Sequence, residues 1–298
     1  GDRALIGAQL DDCAVGNDCG AAYIFDFDGT VWAETRLTAS DAAGFDLFGH
    51  SVALSGDRAL VGAIGDDDGA TNSGSAYIFE YVAGVWTQVA KLTASDAAQD
   101  DRFGGSVSLS GHRALVGASA NDDGGQDSGS AYVFNLEACG GACTEATKLT
   151  DPLSHVMDDE FGFSVALSGD RALVGAIGDG DGGSDSGSAY IFEYTAGAWA
   201  QVSKLTASDA AEGDNFGVSV SLSGDRALVG AFRDDDGGIR SGSAYVFNLS
   251  TCATACTETS KLTASDATGG DEFGFSVSLS GDRALVGAIG DDDGSFSS

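Results

Sequence analysis

The chain of 298 residues has 46 acidic and 14 basic side chains, which gives a formal net charge of −32 at pH 7. A field of that sign excludes nucleic acid and anionic membranes as partners, and it favours cations and basic proteins. Hydrophobic residues make up 43% of the chain, enough for a core, and no apolar run approaches the roughly 18 residues of a membrane span, which excludes membrane insertion.

A long repeat begins at the first residue. Its recurrent part, Gly-Asp-Arg-Ala-Leu or Gly-His-Arg-Ala-Leu, starts at glycines spaced by 55, 55, 58, 55 and 57 residues: Gly1, Gly56, Gly111, Gly169, Gly224 and Gly281. Such a period indicates a repeated supersecondary unit rather than a solenoid coil. Because no linker interrupts it, we predict one domain over residues 1–298, with repeat units starting near residues 1, 48, 103, 161, 216 and 273.

The six cysteines form three local pairs, namely Cys13 with Cys19, Cys139 with Cys143, and Cys252 with Cys256. Their even number and close spacing favour disulfides in an oxidising compartment. Each closes a short loop, which the chain-entropy model values at about 2 kcal/mol. A zinc site is the alternative, but no second pair or histidine follows at ligand spacing.

The second repeat shows four strand signals most clearly. We predict strands over Ser51–Ser55, Arg58–Ala63, Ser75–Tyr81 and Thr87–Thr93. The second and third are apolar at consecutive positions, as in strands that are buried on both faces. The glycine that opens the turn between the first two strands suits a type II′ hairpin.

The size of the side chains changes across each repeat. Serine, alanine and glycine fill the first two strands, whereas tyrosine and phenylalanine fill the third. If sheets stack around an axis like wedges, small residues belong near the axis and large ones outside. The pattern therefore predicts an all-β fold, a β-propeller of four-stranded antiparallel blades with the first strand innermost.

The number of predicted strands bounds the number of blades. The sequence predicts 21 strands, so five to six blades are present. The chain either closes as five blades with one strand left over, or forms an arc of a larger propeller such as a seven-bladed one. The ends fall inside a repeat, which favours the arc and a longer parent chain.

A second motif recurs in phase with the first. Phe-Gly stands about 13 residues before Val-Gly-Ala in five copies, at Phe48, Phe103, Phe161, Phe216 and Phe273, and an acidic, glycine-rich loop follows. This arrangement resembles the FG-GAP repeat of integrin α-subunit propellers, and more closely its bacterial version, over essentially the whole chain. The resemblance implies an extracellular propeller of up to seven blades, used for adhesion or ligand binding.

Two features depart from that family. The proline of its name is missing, since Ile64, Ser119, Ile177, Phe232 and Ile289 follow the alanine. Integrin-type blades also carry a calcium loop between the first and second strands. Here that place holds only a short turn such as Ser55-Gly56-Asp57, so we do not expect calcium there.

The negative charge concentrates in two sets of loops, which we call the acidic loops: those joining strands two and three, and those joining strand four to the next blade. In an up-and-down blade both sets lie at the same end, and together they hold 33 of the 46 acids. We place only Arg102, Arg233 and Arg240 there, which leaves a net charge of −30. Adaptation to high salt is an alternative, but aspartate outnumbers glutamate 37 to 9, which favours turns or oxygen-ligand loops.

The loops between strands two and three follow the rule Asp-x-Asp-Gly-x-x-[Asp/Asn]. Alternating oxygen donors with a glycine suit a hard cation, so we predict divalent-cation sites, calcium first. The predicted ligands are Asp66, Asp68, Asn72, Asn121, Asp123, Asp127, Asp179, Asp181 and Asp185. The alternative is that these side chains only cap tight turns. The fifth loop is left out because Arg240 supplies its own cation, and the last copy ends with Asp291 and Asp293.

Two further residues recur in every copy. The aspartate before Phe-Gly is predicted to accept backbone N–H bonds where strand one begins: Asp46, Asp101, Asp159, Asp214 and Asp271. The arginine of Arg-Ala-Leu is predicted to pair with carboxylates of a neighbouring strand: Arg58, Arg113, Arg171, Arg226 and Arg283.

The sequence predicts a non-enzymatic extracellular module that binds a protein or glycan ligand, or divalent cations, on the acidic loops. The alternatives are a propeller scaffold in a secreted hydrolase or lyase and a structural spacer in a large surface protein. Catalysis needs residues that break the repeat, and the few candidates are isolated: His50, His112, His155 and Arg102. No nucleophile–base pair is evident, which favours a binding role.

Overall fold

Antiparallel strands in sequence order form the body of every sheet, and two sheets gain a short parallel strand at one edge. The computed structural model describes residues 2–139, 142–151, 157–252 and 255–292. Within them, the helical elements are two 3-10 turns, Leu136–Ala138 and Leu249–Thr251, and no helix has the length and apolarity of a membrane span.

The strands of the first three sheets follow chain order, apart from one short strand. The first sheet contains β1 (Arg3–Ala8), β2 (Ala21–Phe27) and β3 (Trp32–Leu37). The second contains β4 (Phe48–Ser55), β5 (Arg58–Ala63), β6 (Ser75–Val82) and β7 (Val85–Leu92), with β11 (Ala142–Cys143) beside β7. The third contains β8 (Ser106–Ser110), β9 (Arg113–Ala118), β10 (Ser130–Asn135) and β12 (Thr147–Leu149).

The remaining sheets repeat this arrangement. The fourth contains β13 (Phe161–Ser168), β14 (Arg171–Ala176), β15 (Ser188–Thr195) and β16 (Ala198–Leu205), with β20 (Ala255–Cys256) beside β16. The fifth contains β17 (Val220–Ser223), β18 (Arg226–Ala231), β19 (Ser243–Asn248) and β21 (Ser260–Leu262). The sixth contains β22 (Phe273–Ser280) and β23 (Arg283–Ala288).

These sheets confirm the predicted all-β fold of propeller-type blades. The four strands of the second repeat lie where the sequence placed them, with shifts of up to three residues at their ends. The hairpin glycine Gly111 has φ +57°, the value that the first position of a type II′ turn requires and that only glycine adopts readily.

Burial follows the apolar pattern of strands two and three. In the second sheet Ala59, Leu60 and Val61 are fully buried, as are Ala76 and Tyr77. Because consecutive residues of a strand point to opposite faces, both faces of the sheet are covered. The hydrophobic cores lie between neighbouring sheets, for example between the second and the third.

The Phe-Gly motif fixes the start of strand one against the preceding sheet. Phe48 is fully buried and packs edge-on against Tyr77, with ring centroids 5.4 Å apart. It also forms a parallel bridge to Gly20 of the first sheet, and the register of β4 against β5 shifts after it. The Phe48 side chain also lies in one buried cluster with Ala22 and Ile24 of the first sheet, so the motif ties these two blades together through both side chain and backbone.

The chain divides into two compact units, Gly1–Asp123 with Ser130–Thr150, and Gly124–Gly129 with Asp151–Ser298. The first unit contains the first three sheets, and the second unit contains the last three. The prediction of a single domain over the whole chain stays a prediction.

The predicted cysteine pairs are disulfides in the structure, and two of them lie in an unforeseen element. Cys139 bonds Cys143 and Cys252 bonds Cys256, while Cys13 bonds Cys19. The two longer insertions are not simple hairpins, because each contains a 3-10 turn and then a two-residue strand that pairs in parallel with the fourth strand of the preceding blade. These insertions therefore contact a second sheet within their unit.

Candidate functional site

A lysine lies at the centre of the acidic loops of the second blade. The ammonium Nζ of Lys91, near the end of β7, is 2.9 Å from Asp66 Oδ2 and 2.5 Å from Asp68 Oδ2. It is also 2.9 Å from Asp41 Oδ2, which belongs to the loop that leaves the first sheet. The lysine stem passes over the ring of Tyr77, with Nζ 5.1 Å from the centroid. We call this set a lysine centre.

Three further lysines occupy the equivalent positions. Lys148 binds Asp96, Asn121 and Asp123, at 2.6, 3.1 and 2.5 Å. Lys261 binds Asp209, Asp234 and Asp236, at 2.7, 2.8 and 2.6 Å.

The fourth blade has the same lysine contacts within its own loop. Lys204 binds Asp179 at 2.7 Å and Asp181 at 2.5 Å. In the first blade Arg36 takes the same place and lies 2.9 Å from Asp11. All four lysines of the chain thus form ion pairs with carboxylates of the acidic loops.

The inner aspartate of the centres of Lys91, Lys204 and Lys261 is ionised although it is buried. Burial alone would raise the pKa of Asp66, but hydrogen bonds from Lys91 and from the Tyr77 hydroxyl, which donates over 2.7 Å, outweigh burial and lower that pKa. Burial likewise opposes the charge of Lys91, yet its bonds to Asp68, Asp66 and Asp41 raise the pKa of the ammonium. Each centre is therefore a charged, hydrogen-bonded cluster at neutral pH.

The predicted metal ligands separate into two groups. The first and second positions of the loop rule come together around the lysines. At the third position, Asn72 donates from its backbone N–H to Asp67 and from its side-chain amide to Asp100, at 2.7 and 2.8 Å. The residues at this position have φ near +50°, which favours asparagine and aspartate: Asn72, Asp127 and Asp185. This backbone conformation is typical of turns, and in the centre of Lys91 the third carboxylate is Asp41 of the preceding loop. Metal binding by the third position stays a prediction.

One cluster of three carboxylates overlaps the centre of Lys204, whose Nζ lies 2.7 Å from Asp179 Oδ2. Asp151, Asp159 and Asp179 are all buried, and one carboxylate oxygen from each lies within 4.8 Å of the others. Asp151 follows the last strand of the third sheet, at the position that Ala94 occupies after the second. Asp159 and Asp179 flank the first two strands of the fourth sheet. The Tyr190 hydroxyl contacts Asp151 and Asp179, at 2.9 and 2.5 Å. Converging carboxylate oxygens are the donors that a hard divalent cation takes, so this cluster is able to hold a metal ion.

The sequence count of charge in the acidic loops was wrong. It left the strand-four cations outside these loops, although Arg36 and all four lysines bind acids of the loops, so the count missed five positive charges. The role given to Arg240 was wrong as well, because its guanidinium pairs with Glu272 and Lys261 is the cation of the fifth loop. The missed signal was Lys-Leu-Thr or Arg-Leu-Thr, which recurs in every blade from Arg36 to Lys261.

The aspartate before Phe-Gly and the arginine of Arg-Ala-Leu have the predicted contacts where the structure gives them. The carboxylate of Asp46 accepts the N–H of Ala43 over 2.6 Å, and Asp101, Asp214 and Asp271 accept equivalent bonds. Arg58 lies 2.7 Å from Glu80 of the neighbouring strand, and Arg171 lies 2.6 Å from Glu193.

The histidines with described surroundings make isolated contacts. His50 Nδ1 lies 2.5 Å from Gln9 Oε1, and His112 Nδ1 lies 2.9 Å from Arg58. His155 and Asp293 lie outside the described residues.

Repeated four-stranded blades, each entered by a buried Phe-Gly and closed by an acidic loop, define a β-propeller repeat protein. The chain belongs to the FG-GAP repeat family, whose model matches residues 32–79, 86–134, 144–192, 199–247 and 256–298. The first four ranges start at or within a few residues of the beginning of the fourth strand of one blade and end in the third strand of the next, so the sequence repeat is offset from the structural blade. No curated protein matches the chain.

Proposed function

We propose that the chain is an extracellular, non-enzymatic binding or adhesion module whose ligand contacts the acidic loops. This proposal rests on the exposure of carboxylates in the outer part of those loops. The lysines neutralise the inner carboxylates, whereas Asp67, Asp122 and Asp235 at the loop tips are exposed. Exposed carboxylates repeated from blade to blade favour a protein ligand with a basic surface through charge complementarity.

Two further observations support the extracellular part of the proposal. The cysteines of all three pairs are disulfide-bonded, and such bonds persist in oxidising compartments. FG-GAP propellers are adhesion modules in the integrin-like proteins that this chain resembles. A spacer role would not need exposed acids at the tips of several loops, so the binding role is favoured over it.

Calcium, if the module uses it, fits best at Asp151, Asp159 and Asp179. These carboxylates converge in a buried place, and their oxygens are hard donors. At the other predicted ligands the ammonium of a lysine lies among the oxygens. Lys204 likewise lies 2.7 Å from Asp179, but here Asp151 and Asp159 bring two further buried carboxylates to the same place. Binding of calcium by the nine residues named from the sequence remains a prediction, and the fourth blade is where it is tested.

The function is tested with the full chain immobilised on a sensor surface and probed with an array of secreted proteins and glycans at about 0.15 M salt, where surface charges beyond roughly 8 Å are screened. The test variant carries Asp67→Asn, Asp122→Asn and Asp235→Asn. The matched control carries Asp57→Asn, Glu137→Gln and Asp225→Asn, which remove the same charge from turns at the opposite end of the blades.

A basic ligand should bind the parent and the control alike, and lose at least tenfold in affinity with the test variant. Equal binding to all three chains would place the contact elsewhere. Turnover of an array component would contradict a non-enzymatic role.

A further inference from the structure

The lysine centres of the second, third and fifth blades do not fit the divalent cation that their acidic loops suggest. Calcium binds carboxylate oxygens at about 2.3–2.6 Å, and it would have to take the place where the oxygens of one loop converge. That place already contains an ammonium nitrogen, at 2.5–2.9 Å from three carboxylate oxygens in the centre of Lys91. A metal ion and the lysine therefore exclude one another.

We propose that the lysine ammonium is the resident cation of these loops, so that the loops fold without a divalent ion, and that removal of the ammonium converts the centre of Lys91 into a calcium site. The sequence supports this role, because the chain has only four lysines and each precedes a leucine in the fourth strand of a blade. Each lysine side chain is about one-fifth exposed, so it is held rather than solvated: 18, 22, 19 and 20% for Lys91, Lys148, Lys204 and Lys261.

The geometry explains why one cation serves several acids. The ammonium has three protons, and three oxygens surround Lys91, from Asp41, Asp66 and Asp68. Asp41 comes from the preceding blade, so the centre also joins two blades. A compact ammonium with three donors does this without a rigid loop around it, which agrees with the variable middle residue of the loop, Gly180 in the fourth copy.

The chain offers a matched pair of centres for the test. The centre of Lys148 has Asn121 where that of Lys91 has Asp66, so it has one carboxylate fewer. Replacing each lysine by methionine keeps the apolar stem over the tyrosine ring and removes only the charge. Lys91→Met therefore leaves three carboxylates without a cation, whereas Lys148→Met leaves two.

The experiment measures melting temperature of the full chain in EDTA and in about 2 mM calcium, both at about 0.5 M salt so that general screening is already saturated. In EDTA, Lys91→Met should melt at least about 5 °C below the parent, because breaking a buried ion pair leaves an uncompensated charge. Calcium should restore at least half of that loss, beyond any shift of the parent. Lys148→Met should regain clearly less, and Lys91→Arg should need no calcium.

Two melting results would overturn the proposal: a Lys91→Met chain that melts with the parent in EDTA, or one that is destabilised and gains nothing from calcium. If Lys91→Met does not fold in EDTA, Lys91→Met with Asp66→Asn removes both charges and should fold without calcium response. Amine acetylation of the parent in EDTA is the independent measurement. The four ε-amines should react at least tenfold more slowly than in denatured chain, and equal rates would refute a held ammonium.

Discussion

Gly175 of β14 faces the carbonyl oxygen of Gly217 so closely that a Cβ added to Gly175 would lie 2.2 Å from that oxygen. Gly175 does not have a left-handed backbone, so its need for glycine comes from this close approach, to which Ser164 Oγ adds a second atom at 2.5 Å. The same contact recurs where Gly62 faces Gly104. The Val-Gly-Ala motif is therefore a packing requirement between neighbouring blades.

We predict that Gly175→Ala lowers the free energy of unfolding by about 1–3 kcal/mol or more, because backbone atoms rather than a flexible side chain must move. The matched control is Gly180→Ala, where the nearest atom to the new Cβ is 3.6 Å away. That variant should be neutral or more stable by up to about 1 kcal/mol. Urea unfolding of both measures the difference, and equal midpoints would contradict the close approach.

Asp46 gives the second prediction, which concerns pH. Burial raises the pKa of Asp46 to about 6 from the usual 3.8; the Ala43 N–H and Lys91 oppose the rise, while the charges of Asp66 and Asp41 add to it. Between about pH 4 and 6 the folded state binds a proton that the unfolded state lacks, so this group makes the protein more stable as the pH falls through that window. Above pH 6 the buried carboxylate is ionised in the folded state, and this lowers the free energy of unfolding.

Asp46→Asn keeps an acceptor for the Ala43 N–H and removes the charge. It should therefore be more stable than the parent at pH 7.5, by up to about 3 kcal/mol, since one pKa unit corresponds to about 1.4 kcal/mol. The advantage should vanish near pH 4. Asp66, Asp179 and Asp234 have lowered pKa values, so the stability they give is lost only below about pH 4 and does not overlap. An advantage that persists unchanged at pH 4 would contradict the raised pKa.

The third prediction concerns calcium in the fourth blade. With a dissociation constant of about 10 µM, about 1 mM calcium would stabilise the fold by roughly 2.7 kcal/mol per site. If Asp151, Asp159 and Asp179 form the site, Asp151→Asn should abolish the calcium-dependent rise in melting temperature at about 0.5 M salt. Asp181→Asn with Asp185→Asn should leave most of the rise in place. If only the Asp181→Asn, Asp185→Asn variant loses the rise, the ligands are the loop residues predicted from the sequence. If the parent shows no rise, the fourth blade binds no structural calcium.

The fourth prediction concerns the cysteines. Native protein treated with a thiol-alkylating reagent should carry no label by mass spectrometry, whereas reduced and denatured protein should carry six, one for each cysteine of the chain. Reduction should cost about 2 kcal/mol per short loop by chain entropy. Label on native Cys139 or Cys252 would place the chain in a reducing compartment and weaken the extracellular proposal.

The sequence by itself determined the strands, the hairpin turns, the cysteine pairs and the family. These features depend on residues that are close in the chain or on a repeat that is visible without coordinates: Gly111 specifies its own turn, and Ala59 to Val61 specify a strand buried on both faces. The scaffold contacts of Asp46 were also predictable, because that carboxylate bonds a backbone N–H only three residues away.

Only the tertiary structure decided where the charges meet. Lys91 lies 25 residues after Asp66 and 50 residues after Asp41, and neither separation shows that the lysine turns toward the acidic loops. The packing of one blade against the next brings Asp41 to Lys91, and it likewise places Asp151 beside Asp179 where the other blades have alanine. The sequence contained the acids and the lysines as separate patterns. Their convergence follows from the stacking of blades, which aligns residues from different repeats at one end of the sheets.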